Sequence, residues 1–101
     1  MKILHLSVKK IWFDLMICQK KTIEYRKCSQ WIKSRILNKD YDYIKFINGY
    51  GKNKPYFICD FLRYEISNKN YSVFFGENKV EVNRGDFLIY LGKINEKGNI
   101  V

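Results

Sequence analysis

Three ionisable side chains of different kinds, Lys21, Glu24 and Arg26, sit within the run Gln19-Lys20-Lys21-Thr22-Ile23-Glu24-Tyr25-Arg26. On an extended strand, residues two apart share a face and lie roughly 6 to 7 Å from each other. Thr22, Glu24 and Arg26 would then face one way, and Ile23 and Tyr25 the other. The set supplies an acceptor (Glu24), a planar two-pronged donor (Arg26) and a point charge (Lys21), which suits a base edge joined to a phosphate. The same residues also read simply as a surface strand with a Glu24–Arg26 ion pair and solvated lysines.

The elements that must position this run follow from periodicity. Ile3 to Val8 alternates as a strand with Leu4, Leu6 and Val8 on one face. From Lys9 the period changes, and Ile11, Trp12, Leu15, Met16 and Gln19 predict an amphipathic helix with its tryptophan face inward. Lys20 and Lys21 fall where the helix ends, beside the negative end of its dipole. Thr22 to Arg26 is then a strand, and Gln30 to Leu37 a second short helix with Ser29 as its N-cap.

The remainder is β-rich. Tyr43 to Ile47 is a strand closed by Asn48-Gly49-Tyr50-Gly51, and Tyr56 to Glu65 a long aromatic strand. Tyr71 to Phe75 reads as either strand or helix. Val80 to Val82 is a short strand, and Phe87 to Leu91 a continuous apolar strand expected near the sheet centre. Residues 95–101 read as a frayed tail after one domain over residues 1–94. The expected class is α+β: a small curled barrel of five to six strands with two short helices near the N-terminus.

Composition narrows the function classes. The chain has 101 residues, enough for one core, and 19 basic against 10 acidic residues give +9. The first fifty residues carry +7 of this and the rest +2. A basic surface draws in polyanions, although a lysine-rich composition also arises without any such partner. Cys18, Cys28 and Cys59 form no C-x-x-C pair and read as free thiols of a reducing compartment. His5 is the sole histidine, so no zinc site is expected. No phosphate-loop pattern is present, and no cofactor is expected. No run approaches the ~20 apolar residues of a membrane span or the form of a signal peptide, and the expected location is the cytoplasm.

Residues 4–94 resemble an ASCH domain, a branch of the PUA-like barrels. The likeness rests on Phe13-Asp14 in the first helix and on Gln19 to Arg26, which matches the family's G-x-K-x-x-E-x-R signature. Tyr43 to Gly49 and Gly85 to Ile94 match its later strands. Gln19 stands where glycine is usual, which removes the ready left-handed helix cap and predicts a differently shaped junction. The resemblance implies a cleft between barrel and helices lined by Lys20, Lys21, Thr22, Glu24 and Arg26, bordered by Ser7 and Lys9, with Tyr64 facing it. It implies RNA or a modified nucleoside as partner, with Tyr25, Trp31, Tyr50, Tyr56 and Tyr64 as stacking candidates.

Some ASCH-like proteins are similar to small amidohydrolases of acylated cytidine, which use a Lys-x-x-Thr arrangement and a carboxylate on a later strand. Here Lys21 is followed three residues on by Glu24, and a carboxylate does not replace the hydroxyl nucleophile of that scheme. The expected function is therefore RNA or nucleotide binding. The alternatives are hydrolysis, with Lys21, Glu24 and Arg26 catalytic, and a protein-interaction adaptor. Another branch of the family that the chain resembles is ribonucleolytic, and that likeness would make Glu24 the base for a 2′-hydroxyl, Lys21 or Arg26 the cation on the pentavalent phosphate, and Tyr64 or Tyr90 supporting donors. Asp60 and Glu65 are the candidate second carboxylates.

Overall fold

The computed structural model describes residues 1–100. Nine elements follow in the order β1 (Ile3–Val8), α1 (Lys10–Ile17), β2 (Ile23–Arg26), α2 (Gln30–Ile36), β3 (Tyr43–Asn48), β4 (Tyr56–Ile66), β5 (Tyr71–Phe75), β6 (Asn78–Val82) and β7 (Phe87–Gly98). Five strands form a mixed sheet in the order β1-β3-β4-β7-β2, curled into a half-barrel, and β5 and β6 form a separate two-stranded hairpin. The class is α+β, with both helices in the N-terminal half.

β1 and β3 are parallel neighbours, so the chain between them must cross over. That crossover carries α1, β2 and α2, and it delivers β2 to the opposite edge of the sheet beside β7. Both helices bury their apolar side chains against one face of the sheet. Phe13 and Met16 of α1 and Ile32 and Ile36 of α2 meet Leu4, Leu6, Ile44, Phe46, Phe57, Cys59, Phe87 and Ile89 in one core. The Phe57 ring lies 5.3 Å from Phe13 and 5.2 Å from Phe46, within ordinary aromatic packing distance.

Two local expectations need correction, and one left open is settled. The buried stripe of α1 is Phe13 and Met16, whereas Ile11 is exposed and Trp12 only half-buried. Phe13 and Met16 are an i, i+3 pair that points at the sheet, and the eight-residue helix is too short to bury a wider face. Residues 95–98 belong to no tail. β7 runs on to Gly98 because β4 continues beside it, pairing Tyr56 with Gly98, Phe57 with Lys97 and Ile58 with Glu96. Tyr71 to Phe75 is a strand, paired with Asn78 to Val82 across a turn in which Gly76 adopts a positive φ of 62°. No helix among the described residues is long and apolar enough to cross a membrane.

Candidate functional site

The two edges of the half-barrel, β1 and β2, do not pair with each other through their backbones. A side chain spans the gap instead. The Arg26 guanidinium donates from Nη2 to the Ser7 carbonyl at 2.9 Å and from Nε to Glu24 Oε2 at 2.9 Å. In the ladder with β7, Glu24 pairs with Ile89 and Arg26 with Phe87. Antiparallel partners share a face, so both charged residues lie on the side of the sheet that holds the core.

Lys21 reaches the same place from the other end. Its ammonium donates to Glu24 Oε1 at 2.7 Å and to the Ile23 carbonyl at 2.8 Å. It also lies 5.3 Å from the centre of the Tyr25 ring and 5.9 Å from that of Trp12. Lys21 is 3% exposed and Glu24 5%, which is rare for these residue types unless they are paired. Burial lowers the Lys21 pKa below the usual lysine range, and the neighbouring Glu24 carboxylate offsets part of that effect.

The helix-to-strand junction that delivers Lys21 closes in the manner glycine would allow. Gln19 adopts the left-handed conformation, with φ 63°. Its N–H donates to the Met16 carbonyl at 3.0 Å, and that of Lys20 to Leu15 at 2.9 Å, the two bonds of a Schellman cap. The junction therefore keeps the left-handed geometry despite the missing glycine, and the expected change of shape does not occur. The Lys21 N–H also reaches Leu15, at 3.0 Å, which turns the chain sharply into β2.

A cavity of about 540 Å³ opens beside the triad. Ser7 to Lys9 at the end of β1, Tyr25 to Lys27 at the end of β2, Ser29, Trp31 and Ile32 around the start of α2, and Lys79 to Glu81 from β6 form its walls, with Trp12 from α1. Among the sequence-predicted residues, Ser7, Lys9, Lys21, Glu24 and Arg26 come together there. Three others do not. Thr22 is exposed and borders a second cavity of about 390 Å³ beneath α1, which Lys21 also lines. Lys20 is exposed in the junction and lines neither cavity. Tyr64 packs against the core, its ring 5.8 Å from Phe87, on the far side of β7 from β2.

The stacking candidates divide in the same way. Tyr25 and Trp31 line the cavity, and Trp31 carries the Arg35 guanidinium 5.1 Å from its ring centre. Tyr50 stands exposed in the β3–β4 turn, and Tyr56 is occupied by Lys45 over its ring and by Glu96 at its hydroxyl. Tyr90 lies under the Arg63 guanidinium at 3.9 Å, away from the cavity. Asp60 accepts from Asn95, and Glu65 pairs with Arg63; neither carboxylate lines the cavity. Among the described residues no group of acidic, histidine or cysteine side chains is placed to hold a metal ion.

Sequence reasoning did not foresee Trp12, Lys27, Lys79 and Glu81 in the walls. Lys27 is anchored by the Glu81 carbonyl and by Asp86 Oδ2 at 2.9 Å, and Lys79 pairs with Glu81 at 2.7 Å. Their signal lay in the hairpin, whose first strand was ambiguous and whose place over β2 is a tertiary matter. The hairpin is held down by the Phe75 ring against Trp12 at 6.1 Å and by this lysine.

Each Glu24 oxygen already accepts from one cation, Oε1 from Lys21 and Oε2 from Arg26. Compared with protein-family models, with curated proteins and with solved structures, the chain matches none. The curled five-stranded sheet with its two helices is compatible with a PUA-like fold.

Proposed function

We propose that the chain is an ASCH-like domain that binds RNA or a nucleotide in the cavity between the β1 and β2 edges. The observation that carries this reading is the convergence of Lys21, Glu24 and Arg26 on one concave surface walled by aromatics. Five cations, Lys9, Lys21, Arg26, Lys27 and Lys79, border the cavity against two carboxylates, Glu24 and Glu81. Such a surface attracts a polyanion, while Trp12, Tyr25 and Trp31 offer faces on which an unpaired base can stack. The volume of about 540 Å³ falls within the roughly 300 to 1,000 Å³ of small-molecule sites.

Hydrolysis is supported less well, because its base would be Glu24 and that carboxylate is bound on both oxygens. Binding is tested by fluorescence anisotropy of labelled single-stranded RNA over a range of salt. A log–log slope near −0.7 per neutralised phosphate is expected, together with weakening of roughly tenfold or more in Trp31→Ala. Equal binding by wild type and Trp31→Ala, with no salt dependence, would remove this reading. Cleavage of that RNA by wild type and not by Glu24→Gln protein would replace it with the ribonucleolytic one.

A further inference from the structure

The charges around the cavity are not equally available. Lys79 is neutralised by Glu81 and Lys27 by Asp86, and Lys21 is matched by Glu24. Two positive charges remain: Arg26, whose partner Glu24 is already balanced by Lys21, and Lys9, which makes no ion pair among the described residues. Arg26 has spent its Nε hydrogen on Glu24 and one Nη2 hydrogen on Ser7. Of the five N–H donors of a guanidinium, the two on Nη1 and the second on Nη2 are left. Donors on both Nη atoms therefore remain for the oxygens of a phosphate.

Lys9 follows Ser7 by two residues, so its backbone stands about 6 to 7 Å along the chain from the carbonyl that holds Arg26. A guanidinium edge and a flexible ammonium thus border one cavity with an uncompensated charge of two. An internal phosphodiester carries a single negative charge, whereas a terminal phosphate monoester carries about −1.5 to −2 at pH 7.

We infer that the cavity is specific for a nucleotide bearing a terminal phosphate monoester, held by the Arg26 edge and Lys9 while its base stacks on the tryptophan-lined wall. The inference rests on the nucleotide-binding reading above and names its ligand class. The monoester can come from a free mononucleotide or from the phosphorylated end of a single-stranded RNA. The two sources share this chemistry.

The test is competition against a labelled, terminally phosphorylated short single-stranded RNA. The competitors are the same RNA without the phosphate, a nucleoside, its 5′- and 3′-monophosphates, and inorganic phosphate. Phosphate-bearing RNA or mononucleotide is expected to bind at least tenfold tighter than its unphosphorylated counterpart, and whichever of the two binds tighter identifies the source. The margin should shrink between pH 7.5 and 5, as the monoester passes its second pKa near 6. The protein's own groups at the cavity are Lys9, Lys21, Glu24, Tyr25, Arg26, Lys27, Lys79 and Glu81. Because they are common to both ligands, the ratio isolates the titration of the phosphate.

Lys9 is exposed, so Lys9→Ala keeps the fold; it should weaken every RNA through the lost charge, but the phosphorylated ligand more, so that the preference falls well below tenfold. RNA binding that ignores the terminal phosphate would overturn the inference and leave the nucleotide-binding reading standing. Inorganic phosphate competing as well as the mononucleotide would overturn it too, since the base would then contribute nothing. Failure of every RNA and nucleotide to bind would remove both.

Discussion

Glu24 is the shared acceptor of two cations, and this makes an unequal response to substitution a sharp test of the triad. In Glu24→Gln, the uncharged amide oxygen can accept from only one of Lys21 and Arg26, and the other keeps only its backbone carbonyl, Ile23 for Lys21 or Ser7 for Arg26. Two like charges would then face each other at a place where Lys21 is 3% exposed. Removing one partner of a buried ion pair typically costs about 3 to 5 kcal/mol. Lys21→Met differs, because Glu24 retains Arg26 at 2.9 Å and methionine has a similar length and no charge to desolvate. Because the Glu24–Arg26 pair remains and no buried charge is left unpaired, the cost should fall below the roughly 3 to 5 kcal/mol of a stranded buried charge. For a domain of this size, 3 kcal/mol corresponds to roughly 12 to 24 °C in Tm. Urea unfolding followed by tryptophan fluorescence is a suitable assay, since Trp12 lies beside Lys21. The double variant should be more stable than Glu24→Gln alone, because it removes one of the two competing cations. Lys21→Met costing as much as Glu24→Gln, or a double variant no better than Glu24→Gln, would refute the account of Glu24 as the hub.

Three further outcomes follow from local geometry. Gln19→Gly should stabilise the chain by about 0.5 to 1 kcal/mol, because glycine carries no side-chain penalty at a φ of 63°, and Gln19→Val should destabilise it; both are read as shifts in urea midpoint. Cys59 is 1% exposed, and burial pushes its thiol up to about 12, against a usual value of 9.0. The folded value exceeds the unfolded one, so its contribution is complete below pH 9 and is lost between pH 9 and about 12, at about 1.4 kcal/mol per unit. The lowered Lys21 pKa acts in the opposite sense in alkali, so the loss should be steepest in Lys21→Met; adding Cys59→Val should reduce it, leaving the part above pH 10 that the raised Tyr25, Tyr56 and Tyr90 values contribute. Asp86, buried where it accepts from the Asn83 and Cys28 N–H groups and from Lys27, should cost about 1 to 3 kcal/mol as Asp86→Ala; hydrogen exchange in β5 and β6 should then rise before exchange in β7.

Local order carried most of the framework. The alternation in Ile3 to Val8 and the Ser29 cap, whose hydroxyl accepts from the Ile32 N–H at 3.1 Å, are short-range patterns that tertiary contacts did not override. The paired spacing of Glu24 and Arg26 was legible for the same reason. What was not legible is that this polar face points inward. A strand with charged residues on one face and Ile23 and Tyr25 on the other reads, by the ordinary rule, as charges out. The reverse holds because β2 pairs with β7, so that Glu24 and Arg26 share a face with Ile89 and Phe87. Pairing partners distant in sequence decide that question. The place of Thr22 failed similarly: the parity of the strand was right, but β2 begins at Ile23 and leaves Thr22 outside it.

The inward polar face and the open barrel are two sides of one constraint. The β1 and β2 edges are joined by the Arg26 guanidinium where a backbone ladder could have stood. A ladder would satisfy both edges and leave nothing for a ligand, whereas a guanidinium joins them through two of its donors and keeps three. An arginine held in this way needs a carboxylate to fix its plane, and that buried carboxylate needs a second cation to balance it, a role Lys21 fills. On the nucleotide-binding reading proposed above, the three donors left over are what the triad offers to the cavity.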